Sequence, residues 1–119
     1  MGGGGGAHSP HRKRAFIAGP YTHGEVALSV RAAILAAARI LEAGHLPYVC
    51  HLTHLWHLVA PRPYEDWMAL HQAWQEECDV TIRLPGDSPG GDREVANARR
   101  LGQPVYYSVD EFLADHPLD

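Results

Sequence analysis

The chain has 119 residues, of which ten are Lys or Arg, fourteen are Asp or Glu, and 45% are hydrophobic. This length supports one domain with a hydrophobic core, and the excess of acid argues against a groove for polymeric nucleic acid, which needs several cations facing phosphates. The two cysteines, Cys50 and Cys78, are too few and too far apart for a disulfide framework or a cysteine zinc site.

Residues 1–14 differ in composition from the rest of the chain. Five consecutive glycines precede a basic stretch that holds three of the ten basic residues. We predict a flexible tail over residues 1–14 and one folded domain over residues 15–119. The most apolar stretch, residues 26–41, is interrupted by Arg31 and Arg39, so no membrane span is predicted. Without a signal peptide, the expected location is the cytoplasm.

The folded part alternates short apolar runs with helical patterns. Residues 15–19 predict a buried strand, residues 25–43 an alanine-rich helix ending before Gly44, and residues 46–50 a second strand. Residues 51–63 are the least regular, and we predict a loop with one helical turn. The remaining pattern predicts a helix over 64–77, a strand over 80–84, a helix over 92–101, a strand over 104–107 and a helix over 109–114 capped by Ser108.

This βαβαβαβα order predicts an α/β fold with a parallel sheet covered by helices on both faces. Ligands of such sheets bind beyond the carboxyl ends of the strands. Three predicted turns lie at that edge, at residues 19–24, 50–54 and 85–94. We therefore expect the ligand-binding residues in these turns.

The third turn has the composition of an anion site. The sequence from Gly86 to Gly91 is GDSPGG, and it leads from a predicted strand into a predicted helix. Backbone N–H groups at a helix start hold anions, commonly phosphate, although an ordinary capped turn has the same composition. Glu94 follows in what we predict to be the first helical turn, where the helix dipole is expected to keep its carboxylate ionised.

Two other nucleotide-binding patterns are missing. The first turn lacks G-x-G-x-x-G spacing, and the third lacks the Gly-Lys-Ser/Thr of a P-loop, so kinase or ATPase chemistry is not expected.

His51, His54 and His57 recur every three residues, which places only neighbours on one helix face and alternates faces on a strand. We predict no metal ion, and these histidines could share one only in an irregular loop.

Four stretches together resemble a known superfamily. They are FIAGPY from Phe16, CDV from Cys78, S-x-GG-x-x-E-x-x-x-A from Ser88, and G-x-PV from Gly102. Their order and spacing are similar to the nucleoside 2-deoxyribosyltransferase superfamily, which includes the 2′-deoxynucleoside 5′-phosphate N-hydrolases. The stretches HLTH, PYEDW and RLPGDS resemble a largely uncharacterised bacterial branch of it.

The resemblance implies a flavodoxin- or Rossmann-like three-layer sandwich with a four- to five-stranded parallel sheet. It also implies cleavage of an N-glycosidic bond without a cofactor, in a homodimer. Glu94 matches the family's nucleophilic glutamate. Ser88 matches a serine that contacts the 5′-phosphate in the nucleotide hydrolases, whereas transferases of unphosphorylated nucleosides tend to carry an acidic residue there.

One position departs from the family pattern. The family carries an aspartate eight residues before the aspartate matched by Asp79, and this chain has His71 there. An imidazole could donate a proton to the leaving base, or the change could mark altered substrate choice or lost activity.

The resulting hypothesis is an N-glycosidase that hydrolyses the base–sugar bond of (deoxy)nucleoside 5′-monophosphates through a glycosyl-Glu94 intermediate. Two alternatives stay open: a deoxyribosyltransferase that exchanges bases, and a nucleotide-binding module without catalysis. The expected partner is a small nucleotide, with no polymeric nucleic acid and no membrane. The candidate residues are Glu94, His71 and Asp66 for catalysis, and Gly19, Tyr21, His23, Ser88, Gly90 and Gly91 for substrate binding.

Overall fold

The computed structural model describes residues 12–20 and 26–118. Two of the predicted substrate-binding residues, Tyr21 and His23, lie outside these described residues.

The described residues form four strands and five α-helices. The strands are β1 (Arg14–Ala18), β2 (Leu46–Val49), β3 (Val80–Arg83) and β4 (Val105–Tyr106). The helices are α1 (Val26–Glu42), α2 (Thr53–Val59), α3 (Tyr64–Gln75), α4 (Pro89–Arg100) and α5 (Val109–Asp115), and a 3-10 turn (Cys50–Leu52) precedes α2. Among the described residues, no helix combines the length and apolar character needed to cross a membrane.

All four strands are parallel, in the order β2-β1-β3-β4. Ile17 of β1 stands between Val49 of β2 and Ile82 of β3. The strand order reverses between β1 and β3, and this switch opens a crevice at the carboxyl ends of the two strands. The predicted α/β fold with a parallel sheet of four to five strands is confirmed, with four strands in the described residues.

Successive residues of β1 contribute to the packing on opposite faces of the sheet. Ala15 and Ile17 belong to a core with α1 and α5, whose members include the fully buried Phe112. Phe16 and Ala18 pack on the other face. This alternation follows from the two-residue period of a strand, and with α3 and α4 on the second face it builds a three-layer sandwich.

The first strand begins earlier than predicted. β1 starts at Arg14, inside the segment predicted to be a tail. The preceding residue is also held, because the Lys13 N–H donates to His45 Nδ1 at 3.0 Å and the Lys13 carbonyl accepts from Leu46 N–H at 2.9 Å. Pairing with the chain before β2 therefore orders basic residues that composition alone assigned to the tail.

Two helix predictions were wrong in their extent. Residues 53–59 form helix α2 where a loop with one turn was predicted, since no Gly or Pro interrupts this segment before Pro61. Helix α4 begins at Pro89, three residues before the predicted start. Ser88 caps it, accepting the Gly91 N–H at 2.8 Å, and Pro89 is pre-organised for a first helical position, so these two residues outweigh the low helix propensity of the glycines.

Candidate functional site

The crevice between β1 and β3 contains a small cavity. Gly19 follows β1, and the glycine-rich turn follows β3; the two are joined where Leu84 N–H donates to the Ala18 carbonyl at 2.8 Å. The cavity measures about 20 Å³. Six predicted site residues line it together with three residues that the sequence did not single out: Gly19, His71, Ser88, Gly90, Gly91 and Glu94, with Cys50, Tyr64 and Met68.

Ser88 combines a structural and a ligand-facing position. Its side chain is buried, and its Oγ accepts the Gly91 N–H at 2.8 Å. Because the oxygen is the acceptor in this bond, its own hydrogen is available to donate to a ligand in the cavity.

The two glycines of the turn face different neighbours. A Cβ at Gly90 would lie 2.9 Å from the Tyr64 hydroxyl and in contact with Met68, so this glycine keeps α3 and α4 close beside the cavity. A Cβ at Gly91 would lie 2.9 Å from Nε of Arg83. A side chain at position 90 would therefore narrow the space for a ligand. The missing side chain at Gly91 makes room for the buried guanidinium of Arg83.

Glu94 is a buried carboxylic acid at the cavity wall. Burial raises its pKa to about 8, against the opposing charges of Arg83 and Arg93. Among the described residues, no group donates a hydrogen bond to its carboxylate. The expectation that the helix dipole keeps Glu94 ionised was wrong: it is the sixth residue of α4, beyond the first turn where the dipole acts, and burial dominates.

His71 lies on the opposite wall and is neutral. Burial, and to a lesser extent the positive charge of a protonated His51, lowers its pKa to about 4. Thr53 Oγ1 donates to the Cys50 carbonyl at 2.9 Å, so its 3.3 Å contact with His71 Nε2 requires the imidazole hydrogen on Nε2. The Tyr48 hydroxyl lies 3.5 Å from Nδ1. Proton donation by His71 to a leaving base would require its Nε2–H to leave Thr53, and this role stays a prediction.

Asp66 is placed apart from the cavity. Its carboxylate accepts from Arg62, four residues earlier in the chain, at 2.6 and 2.8 Å, and its side chain is 43% exposed. The structure therefore gives Asp66 a surface ion pair, and it does not bring Asp66 to the wall shared by Glu94 and Ser88.

The three histidines of the HLTHLWH segment do not converge on a metal. His51 is buried in the 3-10 turn, where burial lowers its pKa to about 4. His57 lies on α2 and accepts the Trp67 indole N–H at 2.9 Å. Within residues 12–20 and 26–118, no group of three or more His, Cys, Asp or Glu side chains is arranged to hold a metal ion.

Sequence reasoning missed two polar residues next to the site. Tyr64 begins α3 within the PYEDW stretch and lines the cavity. Arg83 ends the buried strand β3 and is itself buried. The signal for Arg83 was available, because a charged residue that ends a buried apolar strand is seldom buried without a specific partner.

A larger cleft of about 300 Å³ lies between α3 and α4. Met68 and Glu94 line both this cleft and the small cavity, so they stand between the two spaces. The other residues along the cleft are mostly amides and arginines: Gln72, Gln75, Arg93, Ala96, Asn97 and Arg100.

Comparison with known proteins identifies the fold. No protein-family profile matches the chain, and no curated protein sequence does. One solved structure that it resembles is a 2-deoxyribosyltransferase from the psychrotolerant bacterium Bacillus psychrosaccharolyticus, described as a biocatalyst for the synthesis of antiviral and antitumoral nucleosides. The match covers 77% of this chain and 69% of that chain, with 19% identity and a TM-score of 0.55. The described chain therefore has a 2-deoxyribosyltransferase-like α/β fold.

Proposed function

We propose that this chain is an N-glycosidase that hydrolyses the base–sugar bond of (deoxy)nucleoside 5′-monophosphates, with Glu94 as the nucleophile. One observation carries the proposal: the buried carboxyl of Glu94, to which no described residue donates a hydrogen bond, lines the same cavity as a helix-capping serine and two glycines. The likeness to a 2-deoxyribosyltransferase supports a nucleoside-like substrate.

In the proposed complex, the substrate phosphate lies at the start of α4. The Ser88 hydroxyl donates to it, the helix dipole favours it, and Gly90 leaves room for its approach. A carboxylate at position 88 would repel the phosphate, which is why a hydroxyl there favours a phosphorylated substrate over a plain nucleoside.

The proposed reaction proceeds in two displacements. The Glu94 carboxylate attacks C1′ of the sugar as the C1′–N bond breaks, and the base leaves with the bonding electrons and takes up a proton. Water then attacks C1′ of the glycosyl ester, loses a proton, and releases the sugar phosphate and the Glu94 carboxylate. Two inversions at C1′ give net retention.

The ionisation of Glu94 sets the pH dependence of this mechanism. Only the carboxylate is a nucleophile, and burial raises the pKa of Glu94 to about 8. We therefore expect kcat/KM, which reports the free enzyme, to rise tenfold per pH unit below about pH 8 and to level off above it. A flat profile across that range would contradict the assignment of Glu94 as the nucleophile.

Substrate binding requires the cavity to widen. A volume of about 20 Å³ holds a water molecule and is far smaller than a nucleotide. The α3 side of the cavity can rearrange most easily, because the Met68 side chain is flexible and Tyr64 is 41% exposed. Movement of Met68 would also join the cavity to the cleft between α3 and α4.

Base exchange is the second candidate function, and the structural likeness to a transferase favours it. The two reactions share the glycosyl-Glu94 ester and differ in the acceptor, which is water in one and a second base in the other. A nucleotide-binding module without catalysis is the third reading, motivated by His71 at the family's aspartate position. A homodimer and a cytoplasmic location stay predictions.

A chromatographic screen tests these readings. The protein is incubated with the common ribo- and deoxyribonucleoside 5′-monophosphates and with their nucleosides, with and without an added acceptor base. Base released by the wild type and not by Glu94→Gln supports the glycosidase, and a new nucleoside formed with the acceptor identifies the transferase. Nucleotide binding without any turnover would favour the binding module.

The choice between nucleotide and nucleoside is tested at Ser88. We expect Ser88→Asp to lower kcat/KM for a nucleotide by at least about a hundredfold more than for the matching nucleoside, because the new carboxylate repels only the phosphate. Ser88→Asn is the neutral control of the same shape. Equal losses on both substrates would contradict phosphate recognition at this position.

A further inference from the structure

Arg83 is a buried cation at the base of the candidate site. It is the last residue of β3, and its side chain is only 10% exposed. Burying a guanidinium is costly unless hydrogen bonds and an opposite charge compensate it. The residues that compensate Arg83 show what it does.

Among the described residues, its partners are the residue just before the glycine-rich turn, the turn itself and the helix that follows. The guanidinium donates to the carbonyl oxygens of Leu84 and Gly86, the latter at 2.9 Å, and to Asp92 Oδ1 at 3.1 Å. Gly91 allows this placement, because a Cβ there would lie 2.9 Å from Nε. One side chain thus fastens the turn to the first turn of α4 from beneath.

The charge of Arg83 is only partly cancelled. The side chain of Asp92 is 74% exposed, so solvent screens its carboxylate, whereas the guanidinium lies in the low-dielectric interior. On the cavity side stands Glu94, whose pKa Arg83 lowers against the effect of burial. A substrate phosphate would bring a further negative charge to this place.

Resting on the proposed function, we infer that Arg83 is a positioning residue of the reaction. Its guanidinium holds the glycine-rich turn in shape and supplies the positive charge that lets the Glu94 carboxylate and a substrate phosphate share one site. Arg83 acts through the turn and through Glu94, and the proposed phosphate contacts remain those of Ser88 and the start of α4.

Several other titratable groups surround Glu94 and have to be held constant in a test. Arg93 on the same helix acts in the same direction as Arg83, although its guanidinium is paired with Glu65 at the surface. The remaining groups come from β2, the turn after it and α3: Tyr48, Cys50, His51, Tyr64 and His71.

The test compares Arg83→Met, which keeps an unbranched apolar side chain without the charge, with Arg83→Lys and Asp92→Asn. The titration of the Glu94 carboxyl is followed by NMR in ligand-free protein, with Glu94→Gln to assign the signal. Binding of inorganic phosphate to each variant is measured by calorimetry. Neither readout depends on turnover.

We expect Arg83→Met to raise the titration midpoint of Glu94 by about one pH unit and to weaken phosphate binding about tenfold. Arg83→Lys keeps the charge and should restore most of the midpoint, while its single ammonium cannot replace the hydrogen bonds to the turn. Asp92→Asn keeps the cation and should not raise the midpoint. A folded Arg83→Met with unchanged midpoint and phosphate affinity would overturn the inference.

Should Arg83→Met not fold, Arg83→Gln takes its place, and a Glu94 midpoint equal in Arg83→Gln and Arg83→Lys would overturn the inference. The outcomes separate the two proposals. If Arg83→Met changes both the Glu94 midpoint and the phosphate affinity, but the wild type has no glycosidase or transferase activity, then Arg83 keeps its role in charge and phosphate binding. The proposed reaction would then be wrong. Turnover in the wild type with neither shift in the variant would remove the role of Arg83 alone.

Discussion

Two groups of polar side chains, each with fully buried members, lie between the sheet and helices α3 and α4, and they differ in how many of their polar atoms form hydrogen bonds within the protein. The first, the amide cluster, consists of Gln75, Thr81, Asn97 and Gln103. Gln75 Nε2 donates to Thr81 Oγ1 at 2.9 Å, Asn97 Nδ2 donates to Gln75 Oε1 at 2.8 Å, and Thr81 Oγ1 donates to Gln103 Oε1 at 2.8 Å. Each member both supports and orients its neighbour.

The second group, at the cavity, consists of Glu94, His71 and Ser88. Here the carboxylate has no donor among the described residues, and its burial raises its pKa to about 8. The two groups meet at one residue, because Gln75 Nε2 also donates to the backbone carbonyl of Glu94 at 2.8 Å. The hydrogen-bonded amide cluster therefore holds the part of α4 that places the buried Glu94 carboxyl at the cavity.

Replacing Glu94 should give the largest effect. We expect Glu94→Gln to lower turnover at least a thousandfold, on the order seen when a covalent nucleophile is removed. The same change should stabilise the fold at alkaline pH. Because the folded pKa lies above the ordinary value of 4.5, wild-type stability falls as pH rises from about 4.5 through about 8, by up to about 4 kcal/mol.

Urea unfolding at pH 5 and pH 9 measures this effect on stability. Glu42→Gln, at the exposed end of α1, is the matched control and should follow the wild type. If wild type and Glu94→Gln show the same pH dependence of stability, burial does not raise the pKa of Glu94.

The neutral state of His71 should appear on acidification. Its folded pKa of about 4 lies below the ordinary 6.5, so its contribution to stability is present above 6.5 and is lost as pH falls towards 4. We expect wild type to lose about 3 kcal/mol more than His71→Phe between pH 7 and pH 4. Glu94 titrates with the opposite sign, but it is common to both proteins and cancels in the difference.

Turnover of His71→Phe tests whether His71 takes part in proton transfer. Activity that survives the substitution would remove His71 from proton transfer and leave it as a packing residue. Loss of activity in a variant that remains folded at pH 7 would support the proton-transfer role.

Breaking the amide cluster should lower the stability of the fold. We expect Gln75→Leu to lower the free energy of unfolding by about 2 kcal/mol, because the side chains of Thr81 and Asn97 and the carbonyl of Glu94 lose their partner in a buried place. Gln72→Leu is the control, since that side chain is exposed and makes one 3.3 Å bond to Asn97. Both substitutions are measured by urea unfolding. Equal effects would show that Gln75 contributes no more to stability than the exposed Gln72.

The smallest effect is expected at Asp66. Asp66→Asn removes one charge of a surface pair with Arg62, which is worth less than about 1 kcal/mol and is screened by salt. We expect turnover to change less than about threefold, because the side chain is not at the cavity. A loss of a hundredfold or more, with an unchanged melting temperature, would bring Asp66 back into the site.

The sequence predicted the four strands and four of the five helices in their order, and it predicted the edge of the sheet where the small cavity lies. Apolar runs such as the one ending at Arg83 marked the strands, and Gly44 was placed correctly at the end of α1, where it adopts a φ of 99°. The raised pKa of Glu94 could not be predicted, because it depends on burial at a cavity whose walls come from several distant parts of the chain. Helix α4 starts before the predicted residue 92 because the Ser88 cap and Pro89 begin the helix ahead of two glycines of low helix propensity.

The double position of Ser88 has an evolutionary consequence. Its oxygen caps α4 while its hydroxyl faces the cavity, and Asp is as good a helix cap as Ser. A single exchange between these two residues can therefore change the charge presented to a substrate while the helix keeps its start. Under the proposed phosphate contact of Ser88, such an exchange would shift the preference between phosphorylated and unphosphorylated substrates, and the protein would stay folded throughout.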